Sequence, residues 1–239
     1  MKSSTLKTKS FNFKQFSIEG GHSGMPVSTD GVLLGAWARI ESLRTLLDVG
    51  TGTGLLALMC AQRSEQLAIT AVDIDHHAIE SARYNFQKSP WSERINLHEG
   101  DILELTFEAL FDGIICNPPY FNSGEQSQHT QRATARHTDT LSHKALLKRC
   151  YDLTTPSGSA SFILPAVEGE QLIALANTQN WHVRRLCHMK TTEVKKASRL
   201  LIELSKVKAE IQENSLTIHN NEGYSDDFRA LTQNFYLKM

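Results

Sequence analysis

The chain lacks the features of a membrane, secreted or metal-binding protein. No apolar run is long enough to cross a bilayer, and the polar N-terminus has no apolar segment of the kind found in signal peptides. Only four cysteines occur among 239 residues, and no two of them form a C-x-x-C pair. The ten histidines show no metal-ligand spacing. These absences predict a soluble cytoplasmic protein with reduced, buried cysteines, no membrane partner and no metal.

A strong charge of either sign is also missing. The net charge is −1, so the chain as a whole does not have the charge of a typical nucleic-acid binder. Lysines and arginines are nevertheless concentrated locally, most densely between residues 184 and 208. A basic face on a neutral protein can hold a polyanion, because phosphate contacts act over about one Debye length. Charge alone leaves two interpretations open, a phosphate-binding face and an ordinary solvated surface.

Apolar runs and helix-length segments alternate from residue 44 onwards. The apolar runs predict strands at 45–49, 68–72, 95–98, 113–116, 160–164, 182–188 and 200–206. Helical spacing predicts helices at 54–64, 75–88, 141–154 and 168–178. Strands separated by helices imply βαβ units, so the expected fold class is α/β with a mostly parallel sheet. The last two strands have no clear helix between them and are expected to form an antiparallel hairpin at the edge.

Two regions are expected along the chain. Residues 1–43 form an N-terminal extension packed on the core, with one helix over 30–40 that Thr29 or Asp30 caps. Residues 44–239 form a single domain, since no linker, repeat or low-complexity tract divides them.

A glycine-rich turn follows the first predicted strand. Asp48 is succeeded by Gly50, Gly52 and Gly54 just before a helix. Ligands of open α/β sheets bind at this end of the strands, and the amides that begin a helix attract a carboxylate or phosphate. The G-x-G-x-G spacing is not the dinucleotide pattern, and Asp48 would repel a pyrophosphate but suits an ammonium group. A ligand with a methionine-like ammonium and carboxylate is therefore favoured over NAD.

Two further acids end the next two strands. Asp73 is placed to bind both hydroxyls of a ribose, and Asp101 to accept a hydrogen bond from an adenine amine. Either acid alone is more often a cap or turn residue. Three acids at the ends of three consecutive strands resemble the seven-stranded S-adenosylmethionine-dependent methyltransferases. The resemblance implies a Rossmann-like, seven-stranded sheet with an antiparallel edge strand and helices on both faces, and S-adenosyl-L-methionine as cofactor. The cofactor-binding residues that it implies are Asp48, Gly50, Gly52, Gly54, Asp73, Asp101 and Asn117.

A tetrapeptide at the end of the fourth strand carries the candidate chemistry. It consists of Asn117, Pro118, Pro119 and Tyr120, and it resembles the motif of the amino-methyltransferases. The Asn117 side-chain oxygen and the Pro118 carbonyl can accept hydrogen bonds from an NH₂ group and turn its lone pair towards a methyl donor. Two prolines would hold these acceptors rigidly, and Tyr120 can stack on a planar base. Without its position at the cofactor cleft, the same sequence would predict only a stiff turn.

Motifs outside the tetrapeptide resemble one bacterial family. They are Phe-Lys-Gln-Phe at 13–16, Thr-Asp-Gly-Val-Leu-Leu-Gly-Ala-Trp at 29–37, Gly-Leu-Leu-Ala-Leu-Met at 54–59 and Ser-Pro-Trp-Ser-Glu-Arg-Ile-Asn at 89–96. Over nearly the whole chain the sequence is similar to the tRNA1(Val) (adenine-37-N6)-methyltransferases. That resemblance implies N6-methyladenosine beside the anticodon of a valine tRNA as the product. One departure is Asp73, which stands where a glutamate is also common; either can bind ribose hydroxyls.

The loop at 121–140 is the candidate contact with RNA. It is long and polar, and Arg132 and Arg136 are expected to contact phosphates that flank the target base. In the alternative interpretation, the loop is solvated and its two arginines contact no RNA.

The tetrapeptide by itself leaves the substrate open. It also fits protein-glutamine N5-methylation and guanine-N2 methylation of ribosomal RNA. Protein-glutamine enzymes usually carry a separate helical domain, for which roughly forty residues before the first strand are too few. A non-catalytic binding module is disfavoured, because the glycines, the acids and the tetrapeptide are all intact.

Overall fold

The secondary structure comes from a computed structural model that describes residues 9–21, 27–118 and 142–238. The strands are β1 (Phe11–Asn12), β2 (Ser17–Ile18), β3 (Thr45–Val49), β4 (Ala68–Asp73), β5 (Ile95–Glu99), β6 (Phe111–Cys116), β7 (Thr154–Pro165), β8 (His182–Thr192), β9 (Ala197–Ser205), β10 (Gln212–Asn220) and β11 (Gly223–Tyr224). The helices are α1 (Thr29–Trp37), α2 (Leu55–Arg63), α3 (His76–Lys88), α4 (His143–Leu153), α5 (Ala166–Asn177) and α6 (Asp226–Thr232), with a 3-10 turn at Ser92–Arg94.

Nine strands form one central sheet in the order β5-β4-β3-β6-β7-β9-β8-β10-β11. Strands β3 to β7 pair in parallel, and β9 runs antiparallel between β7 and β8. The predicted mostly parallel α/β sheet with an antiparallel hairpin is therefore confirmed. All seven predicted strands belong to it, but the sheet does not stop there. Strand β10 pairs in parallel with β8, and the two-residue β11 closes the edge.

Helices cover both faces of the sheet, as expected. Successive side chains of β3 point to opposite faces of the sheet, so Leu46 joins one hydrophobic cluster and Leu47 joins the other. The first cluster takes residues from α1, α2, α3 and α6, and the second takes residues from α4 and α5. The sheet is thus buried between two helical layers, which leaves the ends of its strands as the places where a ligand can reach it.

Helix α1 differs from the prediction at both ends. Its N-cap is Ser28, whose hydroxyl accepts from the Gly31 amide, and neither Thr29 nor Asp30 has that role. The helix ends at Trp37, three residues before the predicted end at 40. A side chain at Gly31 would lie 2.9 Å from Leu55, so the glycine permits close packing of α1 against the start of α2.

The N-terminal segment contains more than the expected helix. Strands β1 and β2 form a separate two-stranded sheet, and Phe13 forms a bridge with Tyr236 near the other end of the chain. The ring of Phe13 stacks on that of Phe16 with centroids 4.6 Å apart. The proposed division between 1–43 and 44–239 stays a prediction, and α1 shares a hydrophobic cluster with α2 across it.

All four cysteines are free and buried, as the sequence predicted. Burial raises the pKa of the Cys60 and Cys150 thiols to about 12. In the described ranges, no helix is both long and apolar enough to cross a membrane. The same residues contain no group of three or more potential metal ligands.

Candidate active site

The strand register brings the predicted site residues to one edge of the sheet. Val49, the last residue of β3, pairs with Val72 of β4 and with Cys116 of β6. The residues that follow these three are Gly50, Asp73 and Asn117, so they emerge side by side at the carboxyl ends of neighbouring strands. The sequence predicted this convergence, and we call this edge the carboxyl rim.

The glycine loop has one packed side and one open side. Gly50, Gly52 and Gly54 all have positive φ, at 70°, 57° and 88°, a region that side-chain-bearing residues rarely adopt. A Cβ on Gly54 would lie 2.4 Å from the ring of Phe86, so Gly54 packs against α3. A Cβ on Gly50 or Gly52 would meet no atom within 4 Å. The first two glycines therefore border open space at the rim, where a ligand can approach their backbone.

Asp48 lies behind this loop. Its side chain is fully buried, and Oδ2 accepts from the Thr51 hydroxyl at 2.6 Å and from the Ala57 amide at 3.2 Å. Burial raises the pKa of the carboxyl to about 7, against the hydrogen bonds from Thr51 and Ala57 that lower it. Oδ1 has no hydrogen-bond partner in the described part of the chain. This position favours Asp48 as an internal support of the loop; contact with an ammonium group stays a prediction.

Asp73 supports the loop from the neighbouring strand. Its Oδ2 accepts from the Gly52 amide at 2.7 Å, and its Oδ1 accepts from the Asp75 amide at 2.9 Å. Burial raises the pKa of this carboxyl, while the amides of Asp75 and Gly52 lower it. A carboxylate has about four acceptor positions, so hydrogen bonds from two ribose hydroxyls remain feasible. The hydrogen bond to the glycine loop was not foreseen from the sequence.

Asp101, Asn117 and the buried Pro118 are the remaining described members of the site. Asp101 follows β5 and accepts from the Leu103 amide at 2.9 Å, which fixes the turn at that strand end. The Asn117 side-chain oxygen is buried and has no hydrogen-bond partner among the described residues. An unsatisfied buried acceptor costs free energy unless a ligand supplies the donor. The position of Asn117 therefore fits a group that binds an NH₂ donor.

Several predicted site residues lie outside the described ranges. These are Pro119 and Tyr120 of the tetrapeptide, and Arg132 and Arg136 of the following loop. Their roles stay predictions.

Asn85 on α3 is a residue of the site that sequence reasoning missed. It is 2% exposed, and its Nδ2 donates to the Thr53 carbonyl at 2.9 Å and to the Glu19 carbonyl at 3.1 Å. Its Oδ1 accepts from the Glu19 amide at 2.9 Å. One buried amide thus ties the glycine loop to the N-terminal segment. The available signal was a polar residue on the apolar face that includes Ala82 and Phe86.

A buried polar pair near the beginnings of α4 and α5 was also not predicted. His143 begins α4, and Glu168 lies in the first turn of α5. Burial lowers the pKa of His143, and the charge of Glu168 opposes that effect. The pair lies in the helical layer of α4 and α5, on the opposite face of the sheet from Asp48.

Comparison with known proteins identifies the family. The chain is 62% identical over its full length to the whole of the tRNA1(Val) (adenine(37)-N6)-methyltransferase of Vibrio vulnificus strain YJ016. It is 59% identical, again over both full lengths, to the protein of the same name from Vibrio campbellii. The chain belongs to the tRNA1(Val) (adenine(37)-N6)-methyltransferase family. The resemblance stated from the sequence motifs is thereby confirmed, and the chain is a tRNA (adenine-N6) methyltransferase by family.

Matches to a domain family and to solved structures agree with this membership. The methyltransferase small domain matches residues 31–146, which include the glycine loop and the tetrapeptide. A crystal structure described as a predicted O-methyltransferase from Agrobacterium tumefaciens superposes with a TM-score of 0.68 at 17% identity, covering 86% of this chain and 96% of its own. A class I S-adenosylmethionine-dependent methyltransferase structure from Listeria monocytogenes gives 0.57 at 16% identity, covering 82% of this chain and 69% of its own. At these identities the structures support the fold alone.

Proposed function

We propose that the protein transfers a methyl group from S-adenosylmethionine to the N6 amine of adenine 37 in tRNA1(Val), giving N6-methyladenosine. Full-length membership of the family named for this reaction supports the substrate. The structural observation that carries the chemistry is the buried, unpartnered side-chain oxygen of Asn117 beside the glycine loop.

The residues of the rim fit S-adenosylmethionine. The open side of Gly50 and Gly52 leaves room for a ligand against the backbone, and the start of α2 favours its carboxylate. We assign the ribose hydroxyls to Asp73 and the adenine amine to Asp101. The buried carboxyl of Asp48 holds the loop from behind and favours the ammonium group by its charge when ionised. When bound, the cofactor supplies an electrophilic methyl group on its sulfonium sulfur.

Asn117 acts on the other reactant. The lone pair of an adenine amine is delocalised into the ring, which makes the nitrogen a poor nucleophile. Hydrogen bonds from this amine to the Asn117 oxygen and the Pro118 carbonyl favour a pyramidal nitrogen, and they strengthen as positive charge develops there. Transfer forms the N–C bond and breaks the C–S bond, and the amine then releases a proton to solvent. No general base is needed before the methyl moves.

Residues outside the described ranges complete the proposal. We assign Tyr120 to stacking on the flipped adenine, with Pro119 stiffening the turn. Arg132 and Arg136 are assigned to phosphates on either side of the target. Because the substrate is a tRNA, we place the protein in the cytoplasm.

The test is incubation with methyl-labelled S-adenosylmethionine and total tRNA, total ribosomal RNA or total cellular protein, followed by nucleoside and amino-acid analysis and by mapping of the labelled position in the tRNA. We expect label in N6-methyladenosine at position 37 of one tRNA species. Label in N5-methylglutamine would favour the protein-glutamine alternative, and label in N2-methylguanosine of ribosomal RNA would favour the guanine alternative. Either result would overturn the proposed substrate.

A further inference from the structure

The hairpin that joins β8 to β9 carries a cluster of cations that the cofactor site does not use. We call residues 190–199 the lysine hairpin. Its charged members are Lys190, Glu193, Lys195, Lys196 and Arg199. Lys195 and Lys196 are exposed in the turn, beside Val194, which is 95% exposed.

Strand register places this hairpin on the carboxyl rim. Cys116 of β6 pairs with Phe162 of β7, and Pro165, three residues further along β7, pairs with Arg199 of β9. The lysine hairpin therefore emerges at the same end of the sheet as Asn117. Neighbouring strands lie about 4.8 Å apart, so two to three strand spacings separate the hairpin from β6 by roughly 10–15 Å across the sheet, and the tip of the hairpin extends further along the strand direction. A few nucleotides of an RNA strand span that distance.

The lysines of the hairpin are available to a ligand. Among the described residues, Lys190, Lys195 and Lys196 form no ion pair with a carboxylate. The nearby cation Arg185, by contrast, is used internally and bonds the buried Glu203 at 2.9 Å. The hairpin contains a single carboxylate, Glu193, against these three lysines. It therefore has an unneutralised positive charge.

The base of the hairpin is fixed relative to the cofactor cleft. Arg199 bonds Asp30 in the first turn of α1 at 2.7 Å. The next residue of α1, Gly31, packs against Leu55, which immediately follows the glycine loop. This chain of contacts ties the base of the hairpin to the start of α2, beside the glycine loop. On the far side, beyond β10, the exposed side chains of Glu222, Asp226 and Asp227 limit the basic surface.

We infer that the lysine hairpin is a docking surface for the phosphate backbone of the RNA strand that carries the target base. The inference rests on the proposed function, since it assigns a second contact of the same RNA substrate. Lysines on the same rim as Asn117 contribute affinity and register, and they read no base sequence. Contacts of this kind release counterions, so their signature is a salt-dependent affinity.

The test compares two double substitutions of exposed lysines. Lys195→Gln with Lys196→Gln removes two cations from the hairpin. The matched control, Lys88→Gln with Lys208→Gln, removes two exposed cations at the end of α3 and after β9, at the opposite end of the sheet. The dissociation constant for unmodified tRNA is measured between about 50 and 200 mM salt, where phosphate contacts dominate the salt dependence. Methylation kinetics and calorimetric S-adenosylmethionine affinity are measured alongside.

We expect the hairpin variant to bind tRNA roughly tenfold more weakly at the lowest salt. The slope of log affinity against log salt should fall by about 1.5, since each lost phosphate contact removes about 0.7–0.9. KM for tRNA should rise while kcat at saturating tRNA and the cofactor affinity change by less than about twofold. The control should match the wild type in all five quantities.

An unchanged salt slope in the hairpin variant, or an equal change in the control, would overturn the docking surface. A lower kcat with unchanged tRNA affinity would overturn it as well. Failure of the proposed function looks different, because the wild-type protein would then methylate no tRNA. In that event the binding titration of the two variants still decides whether the hairpin holds RNA.

Discussion

The two halves of the sheet carry charge in opposite ways. At the glycine loop of β3 and β4, the carboxyl group of Asp48 is fully buried and that of Asp73 is partly buried, and burial raises the pKa of both. At the turn between β8 and β9, Lys195 and Lys196 extend into solvent. Buried acids can fix a small ligand and its loop in one geometry, whereas exposed lysines suit a polyanion that keeps much of its hydration. The rim thus offers two chemically distinct surfaces, with Asn117 between them.

Substitution of Asn117, which lies between the two halves, should have the largest effect on the reaction. Asn117→Ala removes the side-chain acceptor for the target amine, so the rate of methyl transfer should fall by about 10²–10³-fold. Affinity for S-adenosylmethionine and for tRNA should stay close to wild type. Single-turnover formation of N6-methyladenosine measures the rate, and calorimetry measures both affinities. Asn96→Ala, at an exposed asparagine of β5, is the control. Retained activity in Asn117→Ala would contradict the role proposed for its oxygen.

Substitution of Asp73 should weaken cofactor binding without weakening RNA binding, and so distinguish the functions of the two surfaces. Asp73→Ala removes the acceptor of the Gly52 amide and of the assigned ribose hydroxyls. Affinity for S-adenosylmethionine should fall roughly ten- to hundredfold, the effect of losing hydrogen bonds to a charged group. Affinity for tRNA should not change, which is the reverse of the result expected for the lysine hairpin. Asp152→Ala, at an exposed ion pair on α4, is the matched control. A calorimetric titration with wild-type cofactor affinity would refute the assignment.

The last prediction concerns stability alone, through its dependence on pH. Burial raises the pKa of Asp48 from 3.8 to about 7, so folding favours its protonated form. This contribution to stability is complete below about pH 4 and is lost as pH rises through about 7, by at most about 4 kcal/mol. The Asp48→Asn variant has a neutral side chain at every pH, so its free energy of unfolding should not fall in this way. Urea unfolding of the cofactor-free protein between about pH 5 and 8 measures the difference. Parallel pH profiles for the two proteins would show that Asp48 does not titrate in this range.

The fold could be predicted wherever strands are buried on both faces. β3, β4 and β6 are short apolar runs, and their periodicity placed them correctly. β10 was missed because its nine residues include only two apolar ones, Leu216 and Ile218. That composition is typical of a strand near the edge of a sheet, where only one face packs on a core. Local pattern does not distinguish such a strand from a polar loop.

The candidate site likewise has features that the sequence predicted and features that it did not. Motif spacing predicted which strand ends would meet, because the carboxyl ends of parallel strands share one edge. It could not predict that Asp48 lies behind the loop or that Asp73 binds the Gly52 amide, since both depend on side-chain direction in three dimensions. Asn85 was missed for a related reason, because its partners Thr53 and Glu19 are distant in sequence. The cap of α1 was misassigned because three consecutive residues, Ser28, Thr29 and Asp30, are all good N-caps.

Burial of every native cysteine makes the chain well suited to site-specific labelling. Thiol reagents react with the thiolate, and burial raises the pKa of all four thiols, to about 11 for Cys187. A thiol introduced by Val194→Cys, at a position 95% exposed, would be the one that a maleimide dye modifies readily. The fluorescence of the attached dye would report the binding of RNA at the tip of the lysine hairpin in real time. The native cysteines would not have to be replaced first.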